Sequence, residues 1–250
     1  MFPQGDWWWL RDIINELPDG LLESRQRKLG RIQHSRDLER LGIAMIKRSE
    51  NEKFMRPHLR HLLARDGAMT VFLAVLPLRR KNFAALRLGF HLRLQPDGSW
   101  RVFVPAEETK NRREIDRRLS DDLALVLNRY LAIDRPALLQ RGNGQYRDAD
   151  DHLWISDDGK PLTPHSITLR ICEQTRQAFG KSISPHLARD CAATTVAIEL
   201  PQQMWIAAPV LGDRSLSTVE DHYNQAGCID ASRRVAQTFR LVRENLKKLK

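Results

Sequence analysis

Residues 184–189 have the sequence Ser-Pro-His-Leu-Ala-Arg, and the fold prediction depends most on this stretch. Ser184 is a preferred N-cap residue and Pro185 suits the first helical position, so a helix is predicted to begin here. His186 and Arg189 then share a face of its first turn. Unpaired N–H groups and the positive end of the helix dipole lie at the same place, so a phosphate would meet free donors, an imidazole and a guanidinium. The alternative is a helix-capping histidine beside a surface arginine.

A second basic piece is Leu-Pro-Leu-Arg-Arg-Lys-Asn-Phe-Ala-Ala-Leu at 76–86. Pro77 again suits a helix start. Arg79 follows a strongly apolar run and is therefore predicted at the edge of the core, where a guanidinium needs a partner. That partner is either a bound anion or a carboxylate of the protein.

A third basic piece, Glu-Thr-Lys-Asn-Arg-Arg at 108–113, falls in the turn between the second and third predicted strands. Lys110 on such a turn either reaches into a nucleic-acid groove or is simply solvated.

The fourth piece is Leu-Gly-Asp-Arg-Ser-Leu-Ser-Thr-Val-Glu-Asp-His-Tyr-Asn at 211–224. Its Ser-x-x-Glu pattern at 217–220 is a capping box, which places Tyr223 on the helix that follows. The chain has three tyrosines. Tyr130 lies in an apolar helical pattern and is predicted to be core, whereas Tyr146 lies in a Gly-rich loop.

The periodicity of apolar residues predicts an α+β chain that is mostly helical, with one small three-stranded antiparallel sheet. Helices are predicted at 21–48, twice within 57–86 with a division near Pro77, and at 121–131, 164–179, 185–199, 202–211, 217–224 and from about 230 onward. The predicted strands are Leu88–Leu94, Trp100–Pro105 and Glu114–Leu119, and 140–160 is a predicted loop.

The composition favours a polyanionic partner. Lysines and arginines number 41 against 31 acidic residues, a formal charge of +10, and neutralised phosphates release condensed counterions. A basic protein without such a partner is the alternative. Cys172, Cys191 and Cys228 form no C-x-x-C pair, so we expect reduced thiols without a disulfide framework or zinc site. No apolar run is long enough to cross a membrane.

The four pieces, in this order, resemble the tyrosine recombinase or phage-integrase family. The likeness covers residues from about 57 to 235 and implies the catalytic fold of that family. We therefore expect a short N-terminal helical segment at 1–56, which is a truncated or atypical DNA-binding arm. A catalytic domain with a basic C-terminal helix would occupy 57–250.

The resemblance also implies a chemistry. Tyr223 would attack the scissile phosphate and form a 3′-phosphotyrosyl link. Arg79 and Arg189 would neutralise the non-bridging oxygens, Lys110 would protonate the departing 5′-oxygen, and His186 would support proton transfer. Neither a metal nor a cofactor is implied.

One position departs from the family pattern. Asp213 stands where the family usually has histidine or tryptophan after Leu-Gly, and a carboxylate there repels a phosphate unless it is protonated or turned away. In that case Asp213 would cap the following turn, and Arg214 or His222 would take over the part of the usual histidine or tryptophan. Otherwise the chain is a catalytically degenerate relative that binds DNA without cutting it. A type IB topoisomerase is a further alternative that shares the tyrosine chemistry.

The resemblance finally suggests the setting. The expected activity is that of an integrase-like, site-specific recombinase of a mobile element, acting on double-stranded DNA as a homo-tetramer. Accessory directionality proteins would be further partners. The expected location is the cytoplasm, in association with the bacterial nucleoid.

Overall fold

A computed structural model describes residues 30–52, 55–142 and 151–200 of the chain. The helices in these ranges are α1 (Ser35–Asn51), α2 (Pro57–Val75), α3 (Arg80–Ala84), α4 (Asp121–Arg129), α5 (Arg135–Arg141), α6 (Pro164–Phe179) and α7 (Pro185–Glu199). A π-helical turn, Tyr130–Asp134, joins α4 to α5. The strands are β1 (Leu92–Leu94), β2 (Trp100–Val104) and β3 (Ile115–Arg118).

Helix α2 lies at the centre of the described core. Its residues 64–74 are all buried, and it packs against α1, α4, α5, α6 and α7. A helix that is buried all round needs apolar or small side chains on every face rather than on one stripe. The α1–α2 contact is close because Gly42 and Gly67 face each other. A Cβ added at either glycine would lie 2.6 Å from the carbonyl oxygen of the other.

The three strands form one antiparallel sheet in the order β1-β2-β3, as predicted. Leu92 pairs with Val102, and Val104 pairs with Ile115. The first strand is shorter than the predicted Leu88–Leu94. Gly89 has a φ of +75°, and the N–H groups of residues 91 and 92 both donate to the Arg87 carbonyl. The backbone therefore turns at a place where alternating apolar residues predicted extension.

The first described helix begins later than the sequence predicts. Within the predicted 21–48 helix, residues 21–29 lie outside the described residues. Residues 30–34 are not helical, because the His34 ring caps α1 by accepting the Arg36 N–H. Arg31 just before this cap donates from Nε to the Ser182 carbonyl at 2.9 Å. Residues 30–34 thus precede α1 as non-helical chain, and Arg31 among them contacts the chain just before α7.

The predicted 140–160 loop contains a part of the core that its polar composition hides. Leu153, Trp154 and Ile155 are buried, and the Trp154 ring lies 5.5 Å from Phe72 and 5.4 Å from Tyr130 between ring centroids. Aromatic groups at such distances add to the free energy of burial. This loop therefore fixes α2 against the α4–α5 region.

A buried carboxylate ties α2 to α6. Asp66 is 0% exposed, and its two oxygens accept from Arg65 Nη2 at 2.7 Å and from Arg170 Nη2 at 2.6 Å. Arg65 Nη1 also donates to the Ile155 carbonyl at 2.8 Å. Pairing a buried charge in this way avoids the cost of leaving it unsolvated.

No helix in the described ranges is both long enough and apolar enough to traverse a membrane. The predicted division at residues 56 and 57 stays a prediction.

Candidate active site

Arg189 is presented by the first turns of α7, the helix predicted from residues 184–189. The Ser184 hydroxyl accepts the Leu187 N–H at 3.2 Å, and a proline occupies the first turn. Arg189 is only 6% exposed, and its Nη1 donates to the Pro77 carbonyl at 2.5 Å. The guanidinium therefore lies against the backbone that leads into the first arginine piece.

Arg79 is the residue immediately before α3, with an extended backbone and a half-buried side chain. Its Nη2 donates to Asn111 Oδ1 at 3.4 Å. Arg79 follows Pro77 by two positions, so Arg79 and Arg189 border the same short stretch of backbone. The Arg189 guanidinium thus contacts the backbone two residues before Arg79, although Arg79 and Arg189 are far apart in sequence.

The β2–β3 turn closes on this region from the sheet. It contains a 3-10 turn at Ala106–Glu108, after which Thr109 is buried and Lys110 is exposed. Asn111 follows Lys110 and contacts Arg79. The Lys110 side chain is therefore carried by a turn whose next residue touches the first arginine.

His186 is exposed on the first turn of α7. The Leu187 and Ala188 N–H groups bond to Ser184, and the positive end of the helix dipole faces the same side. An anion placed beside His186 would meet this positive end and the imidazole together.

Of the three tyrosines, the structure describes only Tyr130. Tyr130 is 1% exposed, as expected for core. Its hydroxyl donates to the Leu153 carbonyl at 3.0 Å, and burial raises the pKa of the phenol. A buried phenol of this kind is unsuited to attack a bound phosphate. Tyr146, Tyr223 and Asp213 lie outside the described residues, as do the predicted helices beyond residue 200.

Sequence reasoning missed the groups that hold the Lys110 turn in place. Asn82 Nδ2 donates to the Glu108 carbonyl at 3.0 Å, and His91 Nε2 lies 2.9 Å from Glu108 Oε2. Asn82 had one signal, its position three residues after Arg79 in the second basic piece. His91 had none, because its partner is reached only through the fold of the sheet.

The described ranges contain no group of three or more His, Cys, Asp or Glu side chains arranged to hold a metal ion. Within the described residues, neither Cys172 nor Cys191 forms a disulfide. The expectation of a reaction without metal stays a prediction.

Comparison with known proteins gives likeness in structure but not in sequence. The sequence matches no protein-family model and no curated protein. Among solved structures, XerA recombinase superposes with a TM-score of 0.51 at 17% identity, over 79% of this chain and 61% of that one. The XerH site-specific recombinase bound to difH, before cleavage, gives 0.55 at 17% identity over 81% and 52%.

The post-cleavage complex of XerH with palindromic difH gives a TM-score of 0.57 at 15% identity, over 83% of this chain and 54% of that one. The chain thus spans just over half to three-fifths of the length of these relatives. Its fold is that of a tyrosine recombinase catalytic domain, with helices around one small antiparallel sheet.

Proposed function

We propose that this chain is a site-specific, integrase-like recombinase that cuts and rejoins double-stranded DNA through a covalent bond to Tyr223. The observation that carries the proposal is the hydrogen bond from Arg189 to the Pro77 carbonyl. That bond brings the α7 arginine to the backbone that ends in Arg79. Both XerH structures are complexes of a site-specific recombinase with a difH substrate, which supports DNA as the partner here.

The chemistry follows from the charges. The Tyr223 oxygen attacks phosphorus, a 3′-phosphotyrosyl bond forms, and the bond to the 5′-oxygen breaks. A phenol with a pKa of about 10 is a weak nucleophile at neutral pH. The activation free energy must therefore be lowered by groups that stabilise the negative charge of the transition state. Arg79 and Arg189 neutralise the non-bridging oxygens. Lys110 gives a proton to the departing oxygen, and His186 assists proton transfer.

Rejoining reverses these steps, since a 5′-hydroxyl of another strand attacks the phosphotyrosyl bond and releases the phenol. Exchange between two duplexes requires several copies, and we propose a homo-tetramer on DNA, with accessory directionality proteins where one direction is favoured. The protein would act in the cytoplasm on nucleoid or mobile-element DNA.

A suicide substrate, nicked close to the cleavage point, tests the proposal. The wild type should form a covalent protein–DNA adduct that Tyr223→Phe does not form. Tyr146→Phe is the matched control, because it makes the same change at a tyrosine that the sequence places in a Gly-rich loop, and it should keep the adduct. Loss of the adduct in Tyr146→Phe instead would assign the nucleophile to the wrong residue.

The second candidate is a degenerate relative that holds DNA without cutting it, and Asp213 in the sequence favours it. Specific DNA binding without an adduct under any condition would establish this candidate. Relaxation of supercoiled plasmid without a specific site would instead indicate a type IB topoisomerase. Binding should weaken steeply with salt in each case, because phosphate contacts release counterions.

A further inference from the structure

A hydrogen bond between two side chains joins the turn that carries Lys110 to the chain beside the sheet. Glu108 lies two residues before Lys110, and its Oε2 is 2.9 Å from Nε2 of His91. The His91 side chain is 4% exposed and the Glu108 side chain is 37% exposed. The bond therefore runs from a buried ring to a carboxylate at the surface.

The His91 ring is held on its other side by backbone. Its Nδ1 accepts the Arg87 N–H at 3.1 Å, so Nε2 must carry the ring proton and donate to Glu108. The His91 carbonyl accepts the Phe103 N–H at 2.7 Å, and the His91 N–H donates to the Arg87 carbonyl at 2.8 Å. His91 is thus anchored to the chain that leaves α3 and to β2, and it presents a donor to Glu108 at a fixed place.

Other hydrogen bonds lie within the turn itself. The Thr109 hydroxyl accepts the Arg113 N–H at 3.0 Å, and the Arg112 N–H donates to the Thr109 carbonyl at 3.2 Å. Bonds of this kind hold the shape of the turn, whereas bonds that leave the turn set its place on the protein. A bond to a carboxylate is about twice as strong as one between neutral groups. The His91–Glu108 bond is therefore well suited to hold the turn against the sheet.

We infer that His91 and Glu108 are positioning residues, whose hydrogen bond holds Lys110 where it can protonate the departing 5′-oxygen. This inference rests on the proposed function. A misplacement of about 1 Å can slow a reaction by about 10²-fold, so a turn released from His91 would deliver the proton poorly. The bond also directs the Glu108 carboxylate to the sheet, since a negative charge beside Lys110 would otherwise repel the phosphate.

The test compares two leaving groups. Lys110 protonates an oxygen that departs, whereas a 5′-bridging sulfur departs as a thiolate and needs no proton. On the oxygen suicide substrate, Glu108→Ala should slow single-turnover cleavage at least about tenfold, which is part of the roughly 10²–10⁴ that general acids contribute. On the sulfur substrate, its rate should return to within about threefold of wild type. Lys110→Ala should be rescued by sulfur in the same way.

Two variants separate the hydrogen bond from the charge. Glu107→Ala is the matched control, because it removes the same charge from an exposed neighbour in the same turn, and it should cleave both substrates at the wild-type rate. Glu108→Gln keeps an oxygen that accepts from His91, so it should recover most of the rate that Glu108→Ala loses. A loss in Glu107→Ala as large as that in Glu108→Ala would assign the effect to charge and overturn the positioning role.

Combined variants separate an effect on Lys110 from an effect on the fold. Added to Lys110→Ala, Glu108→Ala should slow cleavage by less than about twofold more, because a residue that acts through the lysine has no effect once the lysine is absent. His91→Leu fills the buried position but cannot donate, and it should slow cleavage as Glu108→Ala does, with no further loss when the two are combined. His91→Leu also leaves the Arg87 N–H without this acceptor, so the Glu108 variants decide if it folds poorly.

The outcomes separate the two proposals. Wild type that forms no adduct with either substrate would overturn the proposed function, and this inference with it. With wild type active, a Glu108→Ala rate that is unchanged, or equally low on both substrates, would overturn the positioning role alone. A further loss of about tenfold when Glu108→Ala is added to Lys110→Ala would overturn it too, because the pair would then act on the fold and not through the lysine.

Discussion

Arg189 and Lys110 are held in opposite ways, although both are proposed to act on one phosphate. Arg189 is buried on a helix that packs against α2, and its guanidinium bonds to backbone. Lys110 is exposed on a turn, and this turn is held by side-chain hydrogen bonds to Glu108, two residues before Lys110. The guanidinium that is proposed to bind the phosphate is therefore held by the core, whereas the proposed proton donor depends on a few hydrogen bonds of its turn.

The largest expected effect is on the frame that holds Arg189. Asp66→Ala should lower the free energy of unfolding by about 3–5 kcal/mol, because the buried Arg65 charge loses its carboxylate. Chemical denaturation measures this loss. Asp157→Ala, which breaks an exposed pair with Arg141, should cost no more than about 1 kcal/mol. Equal costs at the two sites would show that the α2–α6 tie does not hold the frame.

The next effect falls on catalysis. Arg189→Ala should lower single-turnover cleavage by about 10²–10³, as expected when one donor to a developing charge is removed. Stability should also fall by about 1–3 kcal/mol, because the buried Pro77 carbonyl loses its donor. Most DNA affinity should remain, since many other lysine and arginine side chains would contact the DNA backbone.

Arg176→Ala is the control for this variant. Arg176 is exposed on α6 and pairs with Glu173, so its loss removes the same charge without touching the candidate site. Cleavage should stay near wild type. If Arg189→Ala weakened DNA binding as strongly as cleavage, Arg189 would act mainly in binding DNA and not in stabilising the transition state.

A smaller effect is expected where α1 meets α2. Gly67→Ala places a methyl group 2.6 Å from the Gly42 carbonyl oxygen, and overpacking of this kind typically costs about 1–3 kcal/mol. Gly42→Ala probes the same contact from the other helix and should cost a similar amount. Thermal unfolding measures both. Unchanged midpoints in both variants would show that the helices do not approach this closely.

The smallest effect on stability is expected at Lys110. Lys110→Ala should change the free energy of unfolding by less than about 0.5 kcal/mol, because an exposed side chain on a turn contributes little to the fold. Its cleavage should still be slow. A stability loss as large as that of Arg189→Ala would mean that the lysine is also part of the packed frame.

The sequence predicts the elements whose boundaries are marked by local residues such as N-caps, prolines and glycines. Helix α7 has the bounds that Ser184 and Pro185 indicate, and α6 ends at Phe179 before Gly180, whose φ is +65°. The three-strand meander is confirmed, and its first turn is marked by Pro96, Asp97 and Gly98. These features are local, so neighbouring residues are enough to specify them.

Other features depend on partners that are distant in sequence. Trp154 joins the core from a stretch that is otherwise polar, since its neighbours on α2 lie far away along the chain. The ties from Asn82 and His91 to Glu108 likewise exist only after the sheet has formed. The roles of Tyr223 and Asp213 stay predictions, because both positions lie outside the described residues.

Arg79 and Arg189 are proposed to neutralise the charge of one scissile phosphate. Replacing that phosphate by a methylphosphonate removes one negative oxygen and tests the claim directly. We expect the cleavage defect of Arg189→Ala, relative to wild type, to shrink at least about tenfold on the methylphosphonate, because less charge remains to be neutralised. The same defect on both substrates would show that Arg189 does not neutralise the charge of the scissile phosphate.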